Sequence, residues 1–216
     1  MLTLHHLEQS RSFRILWALE ELKLSYQIQY YRRLPTLAAP PELKQVHPLG
    51  KAPVLTDGES NIAESAVILE YLQEQYDSQQ QFKPQDQALK QQYRYWMHYA
   101  EGSLMPLLVM QLVMSNVTQH VPFLIKPVAQ KITDGVKAAF IQPRLKDHIQ
   151  FLESYLASHD YFAGEFSFAD IQMSFPLEAL LSRTQGRYPN IQAFIQRIAA
   201  RPAYARAKHK EQSCAA

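Results

Sequence analysis

A chain of 216 residues, 47% hydrophobic and 19% charged, can bury one large core or two small ones. Its net charge of +2, with no long basic or acidic block, argues against a nucleic-acid surface. The single cysteine, Cys214, excludes an internal disulfide, a Cys-X-X-Cys redox centre and a zinc site built on cysteine. A reducing compartment fits this cysteine usage. The opening MLTLHHLEQSRS lacks the apolar core of a signal peptide, and no apolar run reaches the ~20 residues of a bilayer span. The expected location is the cytoplasm, away from membranes.

Leu2 and Leu4 alternate with Thr3, so residues 1–6 read as a strand. Ser10-Arg11-Ser12 follows as a polar turn with two possible helix caps. Ile15, Leu16, Leu19 and Leu22 give residues 13–23 one buried helical face, with Glu20 and Glu21 expected on the far side. Tyr26, Ile28 and Tyr30 alternate with glutamines, which predicts a second strand over 26–31 and a parallel βαβ unit. Residues 32–52 hold four prolines and read as irregular, apart from a short helix over 41–46. PVLT at 53–56 and SNIA at 60–63 read as two strands joined at Asp57-Gly58. Val67, Ile68, Tyr71, Leu72 and Tyr76 then recur with a helical period, opened by Glu64-Ser65. The order β-α-β-(α)-β-β-α over residues 1–76 is the thioredoxin order.

Polar residues 77–87 read as a linker, and the text beyond them shows only helical periods. A long helix over 87–115, kinked at Pro106, is followed by one over 122–157, either whole or broken near Gly135 or Pro143. Shorter helices are expected over 167–183, 190–200 and 202–209. Ser167 and Asp170 have the spacing of a capping box, which makes Asp170 a structural carboxylate. The basic residues of 201–210 read as the solvated face of a terminal helix. The fold class expected is therefore an α/β thioredoxin-like domain over 1–76, a linker over 77–87 and an all-α domain over 88–216.

The chemistry concentrates between His47 and Leu72. The free N–H groups opening the helix at Ser65 sit at the positive end of its dipole. They form a seat for a carboxylate, and the Ser65 hydroxyl adds a donor. Lys51, just ahead of the strand at Pro53, can hold a second carboxylate. His5 and His6 are neighbours on a strand and so point to opposite faces, which speaks against a shared metal site.

These residues carry a family resemblance over essentially the whole chain. Pro53, the hairpin and Glu64-Ser65 resemble the glutathione site of the cytosolic glutathione transferases. Ser10-Arg11-Ser12-Phe13-Arg14 and His47-Pro48-Leu49-Gly50-Lys51 resemble a fungal and bacterial branch of that family. The resemblance implies a cis peptide before Pro53 and backbone pairing of Ala52 with the cysteinyl part of glutathione. It implies that Glu64 and Ser65 hold the γ-glutamyl end; Lys51 can hold the glycine carboxylate, and His47 either joins it there or is a polar residue closing the short helix. It further implies that Glu101 reaches the partner subunit's glutathione within a homodimer. Thiol activation falls to the first strand-to-helix turn: to Ser10 foremost, otherwise to Ser12, or to Arg11 with the backbone. The implied reaction is addition of the glutathione thiolate to a small apolar electrophile, a detoxifying step, with glutathione as co-substrate and no metal. A glutathione-dependent peroxidase or isomerase, or a protein that only stores apolar ligands, would use the same fold. An aromatic and methionine stripe, Tyr95, Trp96, Tyr99, Met105, Leu108, Met110 and Met114, is expected to be core in part and to line the electrophile pocket in part.

Overall fold

The computed structural model describes residues 1–34, 36 and 38–215. Pro35, one of the four prolines of the irregular stretch, and Ala216 lie outside the described residues. Alternation places Leu2 and Leu4 of β1 (Leu2–Leu7) in the core. Strand β2 (Tyr26–Tyr31) pairs parallel to β1, while β3 (Val54–Asp57) runs antiparallel to β1 and to β4 (Ser60–Ala63). The sheet order is β2-β1-β3-β4. The crossover between β1 and β2 is α1 (Ser12–Glu21), and one turn of helix, α2 (Leu43–Val46), precedes β3. Helix α3 (Ser65–Tyr76) closes this thioredoxin-like unit.

The β3–β4 turn differs by one residue from the sequence expectation. Asp57 still pairs with Ser60, so the loop is Gly58-Glu59. Gly58 alone of the two has a positive φ, 58°, as a turn with glycine at its first central position requires. Asp57 instead anchors the hairpin to α3. Its carboxylate accepts from the hydroxyls of Tyr71 and Tyr76, and those bonds hold it below the usual carboxylate range.

The second half is helical: α4 (Gln87–Tyr99), α5 (Met105–Val117), α6 (Lys126–Val136), α7 (Gln142–Leu156), α8 (Phe168–Arg183), α9 (Pro189–Ala199) and α10 (Pro202–Ala215). The two expected long helices are each interrupted in the same way. A widened turn, Ala100–Leu104 or Lys137–Ile141, comes just before Pro106 or Pro143. Proline has no N–H to continue the ladder, and the wider turn accommodates the loss without ending the helix. The break therefore falls at Pro143 rather than at Gly135. The stretch before α4 is irregular but not loose. Phe82 stacks on Phe168 with centroids 5.0 Å apart, and the Asp77 carboxylate accepts from the backbone of Gln81 and Phe82.

Two expectations about charge are overturned. Glu20 and Glu21 do not face solvent, and the terminal basic helix is not simply solvated. Arg206 and Lys210 of α10 bond Glu20 at 2.8 and 2.5 Å, and Arg201 bonds Glu21 at 2.6 Å. Phe13 and Trp17 of α1 pack edge-on against Tyr204. The cations of α10 are thus an intramolecular clasp between the halves, which a helical period alone does not distinguish from a solvated stripe. Val67 also departs from its expected apolar face: it is 49% exposed.

Asp170 behaves as a cap. Its carboxylate accepts from the backbone N–H of Ser167 and Phe162 and from the Ser167 hydroxyl. Complete burial nonetheless pushes it up to about 7.

Candidate functional site

A cleft of about 430 Å³ lies between the edge of the sheet, the start of α3 and the turn at Glu101. Of the residues singled out above, Ser10, Arg11, His47, Lys51, Ala52, Pro53, Glu64, Ser65 and Glu101 all line it. Ser12 does not.

The cleft floor is built by local backbone rules. His47 ends α2 and donates its N–H to Leu43, while its ring Nδ1 accepts from Leu49 N–H at 3.4 Å, so it both closes the helix and faces the cleft. Gly50 turns the chain at φ 57°, where a Cβ would stand 2.8 Å from the Lys44 side chain. Only glycine satisfies both demands. Lys51 is exposed and Pro53 is buried behind it. The Ala52–Pro53 peptide is cis.

Glu64 adopts φ 71° and ψ 124°, unusual for a residue with a side chain, and leads directly into α3. Ser65, 3% exposed, opens that helix. Its Oγ accepts from Arg14 Nη1 at 3.0 Å. A guanidinium only donates, so the Ser65 proton remains available to an acceptor in the cleft.

Arg14 also reaches Glu101, with Nη1 2.6 Å from Oε1, and Arg11 Nε bonds both oxygens of the same carboxylate. Burial pushes the Glu101 carboxyl up, but the Arg14 and Arg11 charges outweigh it and hold Glu101 below its ordinary value. Burial pushes the Arg14 guanidinium down to about 10, against the pull of Glu101, so it stays charged at neutral pH. Glu101 is engaged by its own chain's arginines, from a widened helical turn that lets it face the first domain.

Ser10 and Ser12 separate cleanly. Ser12 is fully buried, accepts from Leu7 N–H at 3.1 Å, and lies 3.1 Å from the Leu7 carbonyl and 3.0 Å from His6 Nδ1. Ser10, 2.7 Å from Ser12, is the hydroxyl at the cleft surface. A second chamber of about 340 Å³ also meets Ser10 and is lined by Phe13, Arg14, Phe175, Glu178 and Lys208 among others. The aromatic and methionine stripe lines neither space. Trp96, Tyr99, Met105 and Leu108 are core, and Tyr95 and Met110 are exposed. The chamber wall comes from α1, α8 and α10, Glu211 included, and their mixed polarity hid it in the sequence.

Arg14, a residue of the motif to which the sequence gives no role, lies buried behind the cleft against Ser65 and Glu101. Its spacing of three from Arg11 puts both on one helix face, a readable signal. Arg33 and Leu49 line the cleft itself, and no local pattern marks them. Among the described residues, no cluster of three or more His, Cys, Asp or Glu side chains could hold a metal ion. Among the same residues, no helix is long and apolar enough to cross a membrane.

A thioredoxin-like sheet whose first helix is clasped by a helical domain is the architecture of the two-domain transferases that work on peptide thiols. Comparison with known proteins makes this specific. The model of the glutathione S-transferase N-terminal domain matches residues 1–74, and that of the C-terminal domain matches residues 121–202. The chain belongs to the glutathione S-transferase family. It is 38% identical over 208 residues to glutathione S-transferase 3 of Schizosaccharomyces pombe, spanning 94% of this chain and 85% of that protein. It is 34% identical over 222 residues to glutathione S-transferase 1 of Saccharomyces cerevisiae, spanning 97% and 95%. A solved glutathione S-transferase from Actinobacillus pleuropneumoniae superposes with a TM-score of 0.79 at 33% identity, over 98% of this chain and 93% of that one. A glutathione transferase homolog from Sulfitobacter with bound glutathione shares the fold, with a TM-score of 0.76 at 23% identity over 97% and 98%.

Proposed function

We propose that this protein is a cytoplasmic glutathione transferase that adds the glutathione thiolate to small apolar electrophiles, a detoxifying reaction. The carrying observation is the Ser65 hydroxyl. It is fixed from behind by Arg14 and has its proton free toward a cleft that also contains the α3 N-terminus and Lys51. A carboxylate at each end of a short peptide matches two cationic seats in one cleft, the α3 N-terminus and Lys51. Glu64 offers its own carboxylate to a peptide amine, and its φ of 71° favours a functional role, since such conformations concentrate at binding sites. Ala52 supplies backbone pairing, and His47 assists Lys51. Ser10, at the junction of cleft and chamber, is where sulfur and electrophile would meet. Its hydrogen bond would favour the thiolate, which is the nucleophile. Glu101 orients Arg11 and Arg14 and completes the cleft rim. The assembly we propose is a homodimer.

Calorimetric titration of glutathione into the parent, Ser65→Ala and Lys51→Ala proteins tests the site. Loss of the serine's charge-assisted bond should weaken binding by ~1–3 kcal/mol. Parent-like affinity in both variants would move the site elsewhere. Turnover of a model aryl halide separates transferase from storage protein. Tight binding with no turnover across a broad electrophile panel would favour storage, and turnover confined to peroxides would favour a peroxidase.

A further inference from the structure

Behind Ser10 runs a row of groups that substrate binding does not require. Ser10 Oγ is 2.7 Å from Ser12 Oγ, which is 3.0 Å from Nδ1 of His6. His6 is fully buried, and its Nε2 stands 3.3 Å from a carboxylate oxygen of Glu211 on α10. Lys208 of α10 bonds the other Glu211 oxygen at 3.1 Å, and Tyr30 of β2 stacks on the imidazole. Burial pushes the Glu211 carboxyl up, but His6 and Lys208 hold it below its ordinary value, so it is ionised at neutral pH.

We propose that this row is a proton relay in which His6 is the final acceptor of the glutathione thiol proton. The inference rests on the reading of the cleft as a glutathione site with sulfur at Ser10. The tautomer of His6 and the valences of the two hydroxyls together set the direction. Each has one proton and two lone pairs. With neutral His6, the carboxylate beside Nε2 places the ring proton there, and Nδ1 is an acceptor. Ser12 then donates to Nδ1, turning its one proton from the Leu7 carbonyl 3.1 Å away, and accepts from Leu7 N–H and from Ser10. Ser10 accepts from Ser12 N–H at 3.2 Å, which leaves one lone pair for the cleft. In this state Ser10 presents an acceptor, suited to a neutral thiol and not to a thiolate.

The relay inverts that polarity. The S–H bond breaks and its proton passes to Ser10 Oγ, the Ser10 proton passes to Ser12, and the Ser12 proton passes to His6 Nδ1. Sulfur keeps the electron pair as thiolate. Both serines end with one proton each, and the imidazolium is paired with Glu211. Ser12 now accepts from His6 and Leu7 and donates to Ser10. Ser10's own proton is thereby turned to the cleft, where it donates to the thiolate it has just helped to form. A serine alone cannot retain the thiol proton, whereas an imidazole can near neutral pH. Neither His6 nor Glu211 lines the glutathione cleft, although Glu211 faces the second chamber, and toward the thiol both are positioning and proton-holding residues.

The test compares parent, His6→Gln and Glu211→Gln by thiolate absorbance of bound glutathione against pH. Proton release is read by calorimetry in two buffers of different ionisation enthalpy. Affinity for S-methylglutathione, which has no thiol proton, serves as the reference. The parent should form thiolate while releasing fewer protons than thiolates formed. Both variants should raise the bound thiol's pKa by about one unit, a tenfold loss of thiolate, with S-methylglutathione affinity unchanged. A parent that releases one proton per thiolate, or an unchanged titration in the variants, overturns the relay. If His6→Gln does not fold, Glu211→Gln decides by the same criterion. If the parent does not bind S-methylglutathione, the glutathione reading itself fails and the relay falls with it.

Discussion

Arg14 is the side chain on which the cleft's electrostatics depend. It is fully buried and bonds Ser65 and Glu101 through the same nitrogen. A flexible ammonium could not reproduce that planar geometry, so even lysine is a poor substitute. Removing the charge leaves Glu101 with Arg11 alone and lets the Ser65 hydroxyl rotate. We expect Arg14→Met to lose ~3 kcal/mol of stability, as for one partner of a buried ion pair. Its affinity for glutathione should fall by ~1 kcal/mol, the net worth of the hydrogen bond that orients Ser65. Urea unfolding and calorimetry read the two effects separately. Parent affinity in a folded Arg14→Met protein would mean that Ser65 needs no support from behind. The choice between Ser10 and Ser12 also belongs to this scale. Two hydroxyls two residues apart in a polar turn look alike in sequence, and only the burial of Ser12 against His6 and Leu7 separates them.

Among the elements, α1 and α10 carry the largest departure from sequence expectation, and their contact has a signature in pH. Burial pushes the Glu20 carboxyl up, but bonds from Lys210, Tyr26 and Arg206 win and hold it below its ordinary value. A carboxyl lowered on folding adds stability above its unfolded value of 4.5 and loses it as pH falls through the lower folded value. Glu20→Gln should therefore unfold more easily than the parent at pH 7, by ~2 kcal/mol for a charged hydrogen-bonding group. The difference should close as pH drops below the unfolded value, which thermal unfolding against pH will show. A gap that persists undiminished into acid would mean that packing, not charge, makes the clasp. The strands, α3 and its serine were legible because each has a local cause: alternation, a glycine turn, a dipole end. The clasp was not, because Glu20 and Arg206 lie far apart in the chain and pair only after both helices have found the core. The widened turns before Pro106 and Pro143 fall between these cases. The prolines announce a disturbance, and only the helix geometry shows that it is absorbed.

At the scale of the whole molecule, the core is shared while several large apolar side chains stay exposed. Trp17 of the first half meets Phe166 and Tyr204 of the second, so the two halves bury one another. In contrast, Tyr95 of α4 and Phe151 of α7, 49% and 43% exposed, touch each other on the outside of the helical half. Val67 of α3 is equally exposed on the first half, although its helix is otherwise well packed. In the homodimer we propose, these exposed apolar side chains are where each half would meet the other half of a second copy. Such a contact is two-fold and self-complementary, so it closes with two chains and needs no other protein. Burying a few aromatic anchors is enough to dominate association, because most interface energy resides in few residues. The homodimer we propose should sediment at about twice the 25.0 kDa chain mass at micromolar concentration, and its unfolding midpoint should rise with protein concentration. Tyr95→Glu and Val67→Glu would each place a charge in that interface and should shift sedimentation toward monomer while leaving the fold intact by circular dichroism. A parent that sediments only as a 25.0 kDa species would reject the dimer. Dimers that survive both glutamate substitutions would place the interface on the other exposed apolar surface, the helices around Phe123, Leu124 and Val128.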